Sequence, residues 1–198
     1  LDPHRAEGVS TSNILRDLFE GLVTEAPDGS LEPGAAAAWD TSADGRTWTF
    51  RLRPDGRWSN GDPVTAFDFE YGLRRSVDPA TLSEYAAILA PLANAEAVIA
   101  GEQPPAALGV RALDALTLEV RLNAPTPYLL GLLTHSSAYP VHRPSVEQHG
   151  PGFARPGRLV GNGAYVLAEW AVQSHIRLAR NRSFRADRET TVDEVWYY

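Results

Sequence analysis

Cysteine, methionine and lysine are all missing from the 198 residues. Without cysteine there is no disulfide, no thiolate metal site and no cysteine nucleophile, while the redox compartment stays open, because a cysteine-free chain suits an oxidising space as well as a reducing one. Without methionine Leu1 is not a translation start, so a processed or excised piece of a longer chain is expected. All 18 residues counted as Lys plus Arg are arginine, which together with the many alanines reads as compositional bias. They are outnumbered by 25 Asp and Glu, for a formal net charge of −7. That balance argues against a phosphate-tracking surface for nucleic acid or for an anionic membrane. No apolar run approaches the roughly 18 residues needed to span a bilayer, and the N-terminus lacks the basic-then-apolar order of a signal peptide.

Local signatures of chemistry are also scarce. The five histidines, His4, His135, His142, His149 and His175, stand apart with no HExxH pair or other ligand spacing, so no metal site is expected. There is no GxSxG elbow and no Walker loop. Gly161-Asn162-Gly163 opens like a dinucleotide fingerprint, but Val166 occupies the third glycine position and the run enters a strand pattern, so it reads as a turn. Asn181-Arg182-Ser183 fits a glycosylation sequon, a pattern too short to carry weight. The carboxylate pairs Asp114/Glu119 and Asp68/Glu70 lack a shared buried site in which to act as acid and base. Neither a catalytic residue nor a cofactor is expected, and the chain is not read as an enzyme.

What is present is a patterned globular chain, 43% hydrophobic and able to form a core without staples. Between Asp44-Gly45 and Asp55-Gly56, Trp48, Phe50 and Leu52 alternate with Thr47, Thr49, Arg51 and Arg53, the period-two signature of a strand with one buried face. Both Asp-Gly pairs suit turns that need positive φ. Asn60-Gly61 predicts a further turn, and Thr65 with Asp68 three residues on predicts a capped helix stapled by Val64 and Phe69. Upstream, Ile14, Leu18 and Leu22 beside Leu15 and Phe19 predict a helix capped by Ser10, Thr11 or Ser12 and ended by Gly21 and Pro27-Asp28-Gly29. Downstream, Tyr85, Ile88, Leu89 and Leu92 fit a second helical stretch that Pro91 kinks or ends. A short helix closed by Gly101 follows. Val110–Leu113 and Leu116–Leu122 predict a hairpin with Leu116, Leu118, Val120 and Leu122 on one side. Thr126-Pro127 predicts the start of another short helix, a further one is expected near Ser145–His149, and strand patterns lie at Ala164–Trp170, around Ile176 and Leu178, and at Val192–Tyr198.

The ordered run from Ala38 to Thr65 resembles the oligopeptide-binding proteins, the periplasmic solute-binding components of peptide ABC transporters (bacterial solute-binding protein family 5). Further landmarks follow in family order: Leu1-Asp2-Pro3-His4, Arg16 to Leu22, Arg75-Ser76-Val77-Asp78-Pro79, Leu108-Gly109-Val110 with Leu116 to Val120, and Asn162-Gly163-Ala164-Tyr165. The resemblance covers nearly the whole chain. It implies a mixed α/β, type II periplasmic-binding-protein-like fold, truncated: residues 1–19 as part of domain I, 20–139 as a smaller domain II of β-meander plus helices, and 140–198 as an incomplete return into domain I.

The resemblance also implies a function and a site. The full protein would capture oligopeptides outside the cytoplasmic membrane, periplasmic or lipid-anchored on its outer face, and deliver them as a monomer to the permease and ATPase subunits of an ABC transporter. A peptide backbone would pair with strand-like protein segments, with tolerant pockets for its side chains. The matching segment is Glu7-Gly8-Val9, where Gly8 permits close backbone approach; the matching aromatic wall is Tyr85, and His135 is a further match. Read by themselves, Glu7 is a solvated loop charge, Tyr85 a core aromatic on a helical stripe and His135 a packed loop histidine. A receptor for cell-wall peptide, nickel or sugar on the same fold, and a non-binding structural domain, are the alternatives.

Overall fold

The computed structural model describes all of residues 1–198. The elements run α1 (Val9–Leu18), β1 (Val23–Glu25), β2 (Leu31–Pro33), β3 (Ala36–Thr41), β4 (Thr47–Leu52), α2 (Ala66–Val77), α3 (Ala95–Ile99), β5 (Val110–Asp114), β6 (Thr117–Arg121), α4 (Leu129–Leu132), α5 (Arg143–His149), β7 (Tyr165–Ala171), β8 (His175–Arg180) and β9 (Glu194–Tyr197), with short 3-10 turns between them. Three antiparallel sheets result, β1-β2, β3-β4-β6-β5 and β7-β8-β9.

Alternation in Thr47–Leu52 places Trp48, Phe50 and Leu52 on the buried face of the four-stranded sheet, where Trp48 stands opposite Val120 and Phe50 opposite Leu118. Helix α2 covers that face with Phe69, Leu73 and Val77, each no more than 1% exposed. Burying three such side chains is worth roughly 5–9 kcal/mol gross, against about 1 kcal/mol for a helix cap, so the sheet holds α2 while the cap sets where it begins. The cap is the expected one: the Asp68 carboxylate accepts from both the backbone N–H and the hydroxyl of Thr65, each at 2.8 Å. Burial raises the pKa of Asp68 even so.

The outer edge of β5 is closed by side chains of α2. Arg74 donates to the Val110 carbonyl at 3.2 Å, Glu70 accepts from the Ala112 N–H at 3.0 Å, and the two pair with each other at 2.6 Å, one turn apart. A strand edge that would otherwise offer free N–H and C=O groups is thus occupied. A single cluster of 37 buried hydrophobic residues runs through the molecule, from Ile14 and Leu15 on α1 through Phe50 and Phe69 to Leu167 and Leu178.

Several sequence expectations need correction. Helix α1 stops at Leu18 instead of reaching Gly21, because long-range partners take the next backbone groups: Gly163 donates to the Leu18 carbonyl, and the Asn162 amide accepts from the Glu20 N–H at 3.0 Å and donates to its carbonyl at 2.8 Å. Gly45 has the expected positive φ of 68°, but Gly56 does not lie in that region. The stretch after Tyr85 is a 3-10 turn, Ala86–Leu89, which Pro91 prevents from continuing. Leu116 sits in the β5–β6 turn and is exposed, its N–H held by Asp114. Helix α4 starts after Tyr128, so Thr126-Pro127 does not cap it.

Candidate ligand-binding edge

Glu7, Gly8 and Val9 lie on the surface, Val9 with 79% of its area exposed. Gly8 holds φ 85° and ψ 154°, a region that essentially only glycine occupies, and a Cβ there would meet no atom within 4 Å. Open space on that side lets a ligand backbone approach. Val9 departs from the expected extended form: it is the first residue of α1, whose opening N–H groups have no intrahelical partner. An extended ligand can therefore pair with this edge only as far as Gly8 and must meet a helix start beyond it.

Tyr85 and His135 are 50 positions apart in the chain and in contact in the fold, with ring centroids 5.1 Å apart and planes at 56°. Tyr85 is 38% exposed, so its ring lies at the surface and is not the core aromatic that helical spacing suggested. His135 is half-buried and opens the 3-10 turn Ser136–Ala138, its Nδ1 accepting from the Ser137 N–H at 3.2 Å with the Ser137 hydroxyl at 3.0 Å. The proton then resides on Nε2. Burial, and after it the positive charge of Arg16, hold the His135 pKa below its ordinary value, so the ring is neutral at pH 7. The arrangement offers an aromatic surface beside a neutral N–H donor, suited to an apolar side chain and a carbonyl.

Helix α1 packs against the Ser136–Ala138 turn, so the glycine edge and the aromatic pair belong to neighbouring elements. Sequence reasoning missed Arg16, which lies seven residues beyond Val9 on the same helical stripe. It pairs with Glu25 at 3.3 Å, and both line a cavity of about 200 Å³ with Phe19, Thr134, Tyr139 and Phe184. A cavity of about 620 Å³ between Leu1, Arg5, Ala154 and Trp170 contains none of the predicted residues. His142 serves the scaffold: it accepts from the Ser145 N–H at the start of α5 and meets Asp62 at 3.0 Å. Asn181 is buried, donating to the Gly163 carbonyl at 2.8 Å, and so is no surface sequon.

The short words that carried the resemblance pair up in space. Asp2 and His4 meet Arg75, and Asn162 clamps Glu20.

The family model described as bacterial extracellular solute-binding proteins, family 5, middle part, matches residues 30–197. The periplasmic oligopeptide-binding protein OppA of Escherichia coli (strain K12) is 46% identical over 199 residues, covering 100% of this chain and 36% of OppA. The periplasmic murein peptide-binding protein MppA of the same organism is 42% identical, covering 100% of this chain and 37% of MppA. Among solved structures, Haemophilus influenzae OppA in complex with RPPGFSPFR superposes with a TM-score of 0.96 at 45% identity, over 98% of this chain and 38% of that one. The unliganded open form of MppA gives a TM-score of 0.95 at 42% identity, over 98% and 38%. The chain spans little more than a third of the length of the curated relatives it matches, and its mixed α/β fold is that of the corresponding part of these proteins. It belongs to the bacterial extracellular solute-binding proteins, family 5.

Proposed function

We propose that the protein containing this chain captures oligopeptides outside the cytoplasmic membrane and passes them to a membrane permease with its ATPase subunits, making and breaking no bonds. It would act as a monomer, free in the periplasm or held by lipid at the outer face of the membrane. The observation that carries this reading is the contact of the exposed Tyr85 ring with half-buried His135, which opens the turn packed against α1, the helix that follows directly on the open Glu7-Gly8 edge and begins at Val9. Similarity to OppA, solved with a bound nonapeptide, supports the ligand class.

In this reading the peptide lies extended along Gly8, its main chain giving affinity while side chains enter tolerant pockets. Tyr85 faces an apolar side chain, and the Nε2–H of His135 donates to a peptide carbonyl. Residues 20–139 form the smaller domain, and residues 1–19 with 140–198 form part of the first. Closure of a second lobe is biased by whatever contacts the peptide gains in the closed state.

Calorimetry of the whole protein with mixed tri- to pentapeptides tests this. Micromolar or tighter binding, weakened about ten-fold by Tyr85→Ala as for an exposed aromatic contact, is expected; no heat with any peptide refutes it. Identity to MppA of 42%, below the 46% to OppA, leaves a cell-wall peptide as the second reading of the ligand. Murein tripeptide displacing a generic tripeptide at lower concentration would select it.

A further inference from the structure

Three separate segments meet at Arg75, and a fourth joins them through His4. Its guanidinium grips both oxygens of Asp2, Nη1 to Oδ1 at 2.9 Å and Nη2 to Oδ2 at 2.6 Å, and Nη1 also reaches His4 Nδ1 at 2.8 Å. Its carbon lies 5.3 Å from the centroid of the buried Phe153 ring. The chain of contacts continues through His4, whose Nε2 lies 3.0 Å from the Tyr139 carbonyl and whose backbone N–H donates to Asp2 Oδ1 at 3.1 Å. Because a guanidinium only donates, His4 Nδ1 accepts from it; Nε2 therefore carries the proton and donates to Tyr139. His4 is 2% exposed, and its burial, with the charge of Arg75, pushes its pKa down to about 4, consistent with this neutral tautomer.

Position gives this latch a task beyond fastening. His4 is three residues ahead of Glu7, and Tyr139 is four residues past His135, so each end of the latch is a short span from one half of the ligand-binding edge. At no more than about 3.6 Å per residue, displacement of either end is transmitted to the half it supports.

We propose that Arg75, with Asp2 and His4, positions the Glu7–Val9 edge relative to the Tyr85–His135 pair and so sets peptide affinity without touching the peptide. This rests on the peptide-capture reading. Arg75 is the residue suited to the role, since only a planar fork can hold a carboxylate at two points, donate to an imidazole and lie over a ring at once; an ammonium makes one such contact well.

The test uses the whole protein, with peptide Kd by calorimetry well below each variant's melting temperature and native near-UV circular dichroism as the check on folding. Arg75→Lys and His4→Leu are expected to raise Kd about ten-fold, in the range of effects seen for residues remote from a ligand. His4→Gln, which can accept from Arg75 and donate to Tyr139, is expected to stay within about two-fold of wild type. Adding Tyr85→Ala to Arg75→Lys should weaken binding less than Tyr85→Ala does alone, a non-additivity that loss of stability by itself does not produce. Should His4→Leu fail to fold, Arg75→Lys and the double variant decide. Wild-type affinity in folded Arg75→Lys, or full additivity with Tyr85→Ala, overturns the latch and leaves peptide capture standing. No peptide binding by the wild type sinks both.

Discussion

Lowering the pH from 7 to 5 should remove about 2 kcal/mol of stability through His4 alone. Its pKa falls from an ordinary 6.5 to about 4, first because burial disfavours the imidazolium and then because Arg75 stands against it. Between those values the unfolded chain takes up a proton that the native state refuses, so stability declines as pH drops, at roughly 1.4 kcal/mol per unit once pH is well below 6.5. Three partly buried carboxyls act in the opposite sense. Burial raises the pKa of Asp17, Glu20 and Asp68, so the native state binds their protons first and gains stability on acidification. Asp2 is lowered: burial raises it, but the hydrogen bonds and charge of Arg75 outweigh that, and its contribution is lost only below the ordinary carboxylate range. A bare pH curve mixes these terms, whereas the difference between wild type and His4→Gln isolates the first. Urea unfolding of the whole protein, followed by tryptophan fluorescence, should show that difference shrinking by about 2 kcal/mol from pH 7 to 5. Parallel curves for the two proteins, or a His4 ring resonance that titrates near 6.5, would refute the reasoning.

Gly163→Ala should destabilise by at least about 1–3 kcal/mol, the usual penalty for overpacking, because a Cβ there would stand 2.5 Å from the Asp17 carbonyl oxygen and 2.6 Å from backbone atoms of Leu18 and Phe19. Gly131→Ala on α4, where a Cβ meets nothing within 4 Å, should be stabilising by about 0.5–1 kcal/mol; thermal melts of both that reversed this order would contradict the packing described. Glu70→Ala strips the partner from the Ala112 N–H and from Arg74, so a loss of about 1–3 kcal/mol is expected together with concentration-dependent light scattering as the β5 edge opens. On the peptide-capture reading residues 1–198 alone supply only one wall to a peptide, so calorimetry with tri- to pentapeptides should register no micromolar binding to them.

Where contacts are local, the sequence was enough. Trp48, Phe50 and Leu52 alternate and are buried together, and the Thr65–Asp68 box caps α2 where the spacing put it. Where contacts are remote, it was not. Nothing within Ile14 to Leu22 says that the helix must end at Leu18, because the groups that end it, the Asn162 amide and the Gly163 N–H, lie more than 140 positions away. Tyr85 was ambiguous for the same reason: only its contact with His135 and the 3-10 turn behind it put the ring at the surface. Asp2, His4 and Arg75 were visible only as pieces of family words; their shared site required the fold. Arg16 follows Val9 by two helical turns, a relation that becomes legible only once α1 begins at Val9 and not after the Ser10, Thr11 or Ser12 cap that the sequence suggests.

Photo-cross-linking maps the ligand's position directly: short peptides carrying a photoreactive aromatic residue are bound to the whole protein, irradiated and located by mass spectrometry. Cross-links suppressed by excess unlabelled peptide and falling on Glu7 to Val9, Arg16, Tyr85 or His135 are the expected result. Suppressible cross-links that all avoid these residues, on the polar outer face of the β3-β4-β6-β5 sheet for example, would mean that this edge is not where the peptide binds.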